Sequence, residues 1–220
     1  MPAVLLPIPR DARGRRFAQL FAGLLLYGIS ASMLVLAALG LDPWDVLHQG
    51  LARRVGLVGI GTWTIVVSGL VLLLWIPLRQ RPGFGTVANA LVVGAVMDVV
   101  LALFDQPDAI GARVALLVGG VVLNGIATGM YIGAGMGPGP RDGLTTGLAD
   151  RGHSIRVVRT AIGVTVLVAG FALGGTVGIG TLLYALAIGP ISHVTIPALA
   201  VRSRPAASAM GVISGADRRS

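Results

Sequence analysis

Residues 27–52, YGISASMLVLAALGLDPWDVLHQGLA, are written a second time as residues 124–149, NGIATGMYIGAGMGPGPRDGLTTGLA, without a gap and at an offset of 97. The two copies share Gly28/Gly125, Gly40/Gly137, Pro43/Pro140, Asp45/Asp142 and Gly50/Gly147. After a two-residue slip the correspondence resumes, with Gly83-Phe84-Gly85-Thr86 against Gly178-Ile179-Gly180-Thr181. A unit repeated inside an apolar chain is a mark of transporter folds, in which two copies enclose one site.

The chain around the repeat is built for a bilayer. Hydrophobic residues make up 55% of it and charged residues 12%, about half the charged share of a soluble domain. All 17 basic residues are arginine, and the net charge is +8. These arginines lie in connections and tails, where membrane orientation accounts for them and a nucleic-acid partner is not needed. There is no cysteine, which removes disulfides, thiolate metal sites and cysteine nucleophiles. No metal-ligand cluster stands out, and no cofactor is expected.

A spanning helix needs about 20 mostly apolar residues. Runs of that kind predict spans at 17–40, 58–78, 85–104, 114–136, 157–174 and 180–200. Trp63 and Trp75, near opposite ends of the second span, read as interfacial indoles. With both termini cytoplasmic, the inner face takes Arg10, Arg13, Arg15, Arg16, Arg79, Arg81, Arg141, Arg151, Arg156, Arg159 and the four tail arginines. The outer face keeps only Arg53, Arg54 and Arg113, as the positive-inside rule asks. Three spans per half then invert the second copy relative to the first. The expected fold is all-α, with six transmembrane helices in two inverted-topology repeats, 17–104 and 114–201. The segment DQPDAIGAR at 105–113 is the external linker, and 1–16 and 202–220 read as polar cytoplasmic tails without fixed structure. The setting is a multi-pass protein of a bacterial inner membrane.

In each copy the motif G-x-x-P-x-D-x-x-x-x-G-L-A predicts a short helix after the first span. Pro43 and Pro140 suit a first helical position, with Asp42 or Gly139 as N-cap. About 12 residues rise roughly 18 Å, too little to cross the bilayer, so these helices are interfacial or re-entrant. Two readings compete for Asp45 and Asp142: an acid capping its own helix, or part of a site where helix N-termini face a polar or anionic solute. Trp44 and Arg141 differ between the copies and would set specificity, with Arg141 able to grip a carboxylate or phosphate. His48 and Gln49 read as solvated or interfacial. Within the spans, Tyr27, Asn124, Asn89 and Tyr184 occupy matched polar positions, as cavity lining or as glue between helices. Asp98 and His193 are also matched, and such a pair could carry protons.

The motifs GLDPWDVLHQGL (40–51) and GPGPRDGLTTGL (137–148), with the later G-x-G-T segments, resemble the bacterial YczE/YyaS/YitT group of integral membrane proteins, nearest its YczE members. The resemblance spans about residues 17–200 and implies a polytopic bacterial inner-membrane protein. It supplies no agreed catalytic or binding residues. The leading expectation is a small secondary transporter or permease for a small polar or anionic solute. The competing ones are a membrane scaffold or accessory protein for another complex, and the substrate-binding subunit of a larger importer. The small membrane-embedded part favours a homodimer. No enzyme is expected: Ser68-Gly69 with His193 is the nearest thing to a dyad, and the glycine two residues before the serine is missing.

Overall fold

The computed structural model describes residues 6–201; the expected tail at 202–220 lies outside them. Eight helices follow one another: α1 (Arg13–Ala37), α2 (Pro43–Val55), α3 (Ile60–Leu78), α4 (Phe84–Leu103), α5 (Ile110–Gly133), α6 (Pro140–Ala149), α7 (Ile155–Ala172) and α8 (Ile179–Leu199). There is no strand among the described residues. All but α2 and α6 are long and apolar enough to cross a membrane. Their outward faces are apolar too, with Leu70, Leu73 and Ile76 on α3 and Val168 and Phe171 on α7 exposed. Extended apolar surface of that kind, on helices long enough to span a bilayer, fits contact with lipid.

The spans fall within a few residues of the sequence expectation, and the differences are informative. α1 starts at Arg13, so the last residues of the expected tail are helical. Arg16 is buried, where it donates to the Ala134 carbonyl at the end of α5 (2.8 Å) and to the Val201 carbonyl (3.2 Å). Its counterpart at the same offset, Arg113, donates to the Ala37 and Ala38 carbonyls at the end of α1 (2.8 Å each). Each arginine thereby satisfies carbonyls that a helix end leaves without partners. Trp75 is not interfacial: it is 2% exposed, and its indole N–H donates to the Pro140 carbonyl at 3.1 Å. A buried indole N–H needs an acceptor, and the start of α6 provides one.

One face of the protein gathers both ends of the described chain, the α3–α4 connection and the end of α5, tied by Leu6 N–H to Pro82 and Val201 N–H to Gly133. The opposite face gathers the end of α1, the end of α2 and the starts of α5 and α8, tied by Arg113 to Ala37 and by Arg53 to the Gly174 carbonyl.

Two interlocking turns fix the core. Gly180 N–H donates to the Leu39 carbonyl (2.8 Å), and Gly85 N–H donates to the Met136 carbonyl (2.7 Å). Each repeated turn therefore docks on the G-x-G-T helix start of the other half. Gly40 and Gly137 have φ of +115° and +114°, a conformation L residues avoid. A side chain at either would also run into the facing glycine and threonine, Gly178 and Thr181 or Gly83 and Thr86. α1 and α5 cross at the centre, α1 packs on α4, and α5 packs on α8. Gly28 is pressed against Val96 of α4, and Gly125 against Ile191 of α8. Close approach through glycine is how membrane helices gain packing energy when water cannot drive them together.

The halves differ in one place. α3 lies along α4, with Gly61 and Gly94 so close that a Cβ on either would collide with the other's carbonyl. α7 and α8 barely touch, and a side chain at Gly163 of α7 or Gly189 of α8 would meet nothing.

Candidate site where the short helices meet

α2 begins as its sequence predicts: Asp42 is the N-cap and Pro43 the first helical residue. The Asp42 carboxylate accepts from Trp44 N–H (2.8 Å) and Asp45 N–H (3.2 Å). α6 begins likewise with Gly139 and Pro140. α2 runs from a largely buried start to an exposed end at Arg53–Val55, and α6 from buried Gly139 and Pro140 to exposed Asp150 just past its end, so each dips inward N-terminus first.

The two starts converge on Arg141. Its guanidinium lies 3.7 Å from Asp42 Oδ1 and 3.5 Å from Asp45 Oδ1, and 5.2 Å over the Trp44 ring. Neither aspartate at the third helical position caps its own helix, the simpler of the two readings of the motif. Asp45 Oδ1 instead faces His48 Nδ1 at 3.0 Å, and Asp142 Oδ2 accepts from the Tyr131 hydroxyl at 2.5 Å. The cap is Asp42, which leaves Asp45 free to turn toward the centre.

His48 and Gln49 are not solvated, contrary to the sequence reading. His48 is 0% exposed and Gln49 6%. Gln49 Oε1 accepts from the Thr176 N–H before α8 (2.7 Å). The Thr64 hydroxyl, which donates to the Ile60 carbonyl, leaves its oxygen 3.1 Å from His48 Nδ1. A proton on Nδ1 thus serves both Asp45 and Thr64. Burial first, then the adjacent Arg141 charge, holds this imidazole well below its usual range, so it is neutral. Burial also pushes the Asp42 carboxyl up to about 7, with the Asp45 charge adding to the shift and Arg141 opposing it. Among the described residues, one carboxylate oxygen of Asp42, one of Asp45, His48 Nε2 and the Trp63 indole nitrogen are buried without a hydrogen-bond partner, and three of the four lie in this cluster. Such atoms are costly to leave unpaired, and their concentration here marks a polar centre.

A cavity of about 340 Å³ opens beside the cluster. Tyr27, Asn89, Tyr131, Arg141, Asp142 and Tyr184 line its inner part, and Arg159, Ser192, His193 and Ile196 line it toward the face that holds the chain ends. Tyr27 stacks edge-on against Tyr131 with centroids 5.9 Å apart. Asn124 stands behind this wall: it accepts from the Tyr184 hydroxyl (3.0 Å) and donates to the Ser30 hydroxyl (2.9 Å).

The structure therefore brings together Trp44, Asp45, Arg141, Asp142, Tyr27, Asn89 and Tyr184, with Asn124 in support. It does not bring together Asp98 and His193. Asp98 accepts from Gly61 N–H (2.8 Å) and the Thr62 hydroxyl (2.6 Å), which caps the start of α3 from outside. His193 lines the cavity and is exposed. Ser68 and His193 line the same cavity without a hydrogen bond between them among the described residues. Sequence reasoning missed Tyr131 and Arg159. Tyr131 had a signal, since it replaces Leu34 of the first copy at the same offset.

Comparison with known proteins agrees with this architecture. The model of a family of unknown function, DUF6198, matches residues 14–197. The chain belongs to this family. It is 37% identical to an uncharacterized protein of Haemophilus influenzae over 82% of this chain and 83% of that one. It is 31% identical to the uncharacterized membrane protein YczE of Bacillus subtilis (83% and 86%) and 28% identical to YyaS of the same organism (80% and 89%). The YczE likeness expected from the paired motifs thus holds across the membrane region, and with it the membrane nature of the chain. No solved structure matches.

Proposed function

We propose that this protein is a small permease for a small polar or anionic solute, which binds where the two short helices meet. The observation that carries the reading is the convergence of two buried helix starts on Arg141 at the wall of a polar cavity. The start of α6, where Gly139 has no side chain to occupy the first N–H groups, can present them and a positive dipole end to a solute, and a guanidinium adds a planar donor fork suited to carboxylate or phosphate. Ionisable groups at the centre of a membrane protein are expensive even when paired, and they mark solute and ion pathways.

The contacts matched between the copies support two inverted-topology repeats: Arg16 with Arg113 and Gly28 with Gly125 at an offset of 97, and Gly85 with Gly180 at 95 after the two-residue slip. Repeats of that kind underlie alternating access. The arginine-rich face, which carries both ends of the described chain, is cytoplasmic in this reading, so the cavity opens inward. The central groups are assigned to binding, with no catalytic role.

Calorimetric titration of the purified protein in nanodiscs with acetate, butyrate, succinate and inorganic phosphate tests the reading, followed by uptake of any binder into proteoliposomes. Saturable binding lost in Arg141→Gln, and uptake lost with it, is the expected result. Binding that survives Arg141→Gln would sink the reading.

A further inference from the structure

Between α7 and α8 a second cavity of about 430 Å³ runs from the cluster to the outer surface of the protein. Ile162, Gly163 and Leu167 form one wall, Ala185 and Ile188 the other, and Trp44 the inner end beside Arg141. These wall residues sit mid-way along two spanning helices, so the mouth of the cleft faces the hydrocarbon core. The matched helices α3 and α4 are sealed by Gly61 and Gly94, and nothing seals α7 against α8. Water is absent at this depth, and an apolar slot open to lipid is filled by hydrocarbon. Arg141 and Arg159 line both cavities, as does Asp142, and Asp42 lines the cleft, so the polar and apolar volumes share a charged boundary.

Building on the reading of the central cavity as an anion site, we infer that the solute is a single-chain carboxylate amphiphile that enters sideways from the bilayer, its chain in the α7–α8 cleft and its carboxylate between Arg141 and Arg159. The size of the cleft selects one chain. At about 430 Å³ it lies toward the lower end of the roughly 300–1,000 Å³ of pockets that enclose one drug-sized ligand, a scale that suits a single chain. The planar arginine fork suits a carboxylate.

Trp44 offers a direct reporter, because bromine on a nearby chain quenches indole fluorescence. The probe is 9,10-dibromostearate, added to the full-length protein in nanodiscs, with stearate as the control. The expected result is saturable quenching that disappears in Trp44→Phe and weakens at least tenfold in Gly163→Leu. The backbone position accepts a side chain, because a Cβ at Gly163 meets nothing within 4 Å. Quenching that rises linearly with probe and ignores Gly163→Leu would mean bulk lipid contact and overturn the inference. Absent quenching, with Gly163→Cys crosslinking between copies, would assign the cleft to a second copy of the chain and overturn it as well. Acetate binding measured on Gly163→Leu separates the two levels. If it persists while quenching fails, the central site stands and the amphiphile falls; if both fail in the unaltered protein, the anion site itself falls.

Discussion

If Asp42 competes with an anionic solute for Arg141, binding must strengthen as pH falls through about 7, the value to which burial pushes this carboxyl. The groups facing Asp42 are Asp45 and Arg141, and neighbouring His48 stays neutral across the range. The folded-state value is raised, so the carboxyl is protonated below about pH 7 and ionised above it. Ionised Asp42 holds one side of the guanidinium and adds a negative charge; protonated Asp42 releases it. If only the protonated form is competent, apparent affinity scales with its fraction, about 0.9 at about pH 6 and about 0.1 at about pH 8. Acetate, ionised throughout this window, should therefore bind about tenfold more tightly at the lower pH, about 1.4 kcal/mol. Asp42→Asn isolates the charge, because asparagine caps a helix as well as aspartate does. That variant should bind with the tighter affinity at both pH values. Asp42→Ala should show the same flat profile and also lose about 1 kcal/mol of stability, the usual worth of an N-cap. Calorimetry at the two pH values measures the slope, and thermal unfolding followed by tryptophan fluorescence measures the cap. A tenfold slope that persists in Asp42→Asn would refute the reasoning.

Other outcomes test separate parts of the structure. Arg113→Ala, which strips the cap from the end of α1, should lower the unfolding temperature by the equivalent of about 1–3 kcal/mol and leave acetate affinity within twofold. Gly137→Ala combines backbone strain with collision against Gly83 and should abolish monodisperse protein on size-exclusion chromatography. Gly56→Ala has similar backbone strain in open space and should cost only about 1 kcal/mol. Asp98→Ala should destabilise the start of α3 by about 1–3 kcal/mol while the pH profile of acetate binding keeps its shape; a flattened profile would place Asp98 in the coupling instead.

Much of this architecture was legible because membrane insertion is written in composition. Apolar runs gave the six spans, and Pro43 and Pro140 marked where the short helices begin. The burial of individual polar residues was not legible. His48 and Gln49 sit on a helix that reads as polar and half-exposed, and the packing of α3, α7 and the segment before α8 encloses them. Trp75 looked like an interfacial indole because the hydropathy of its own span says nothing about α6, which supplies its acceptor. The site residues were found through the repeat offset, which pairs positions but not partners. It matched Tyr27 with Asn124 and Asn89 with Tyr184, whereas the hydrogen bond that forms joins Tyr184 to Asn124.

The crossed docking of the two repeated turns bears on how the protein is made. The turn at Leu39–Gly40 finds its seat on Gly178–Thr181, a segment synthesised about 140 residues later. At roughly 5–20 residues per second, the nascent first half waits on the order of 10–30 s in the membrane with that turn bare, and the Asp42–Asp45 pair lacks Arg141 for about the first two-thirds of that time. Biogenesis of this chain thus includes an interval when a charged, unroofed intermediate depends on the insertion machinery for shelter, and a ribosome stalled before α8 would deliver a protein unable to close.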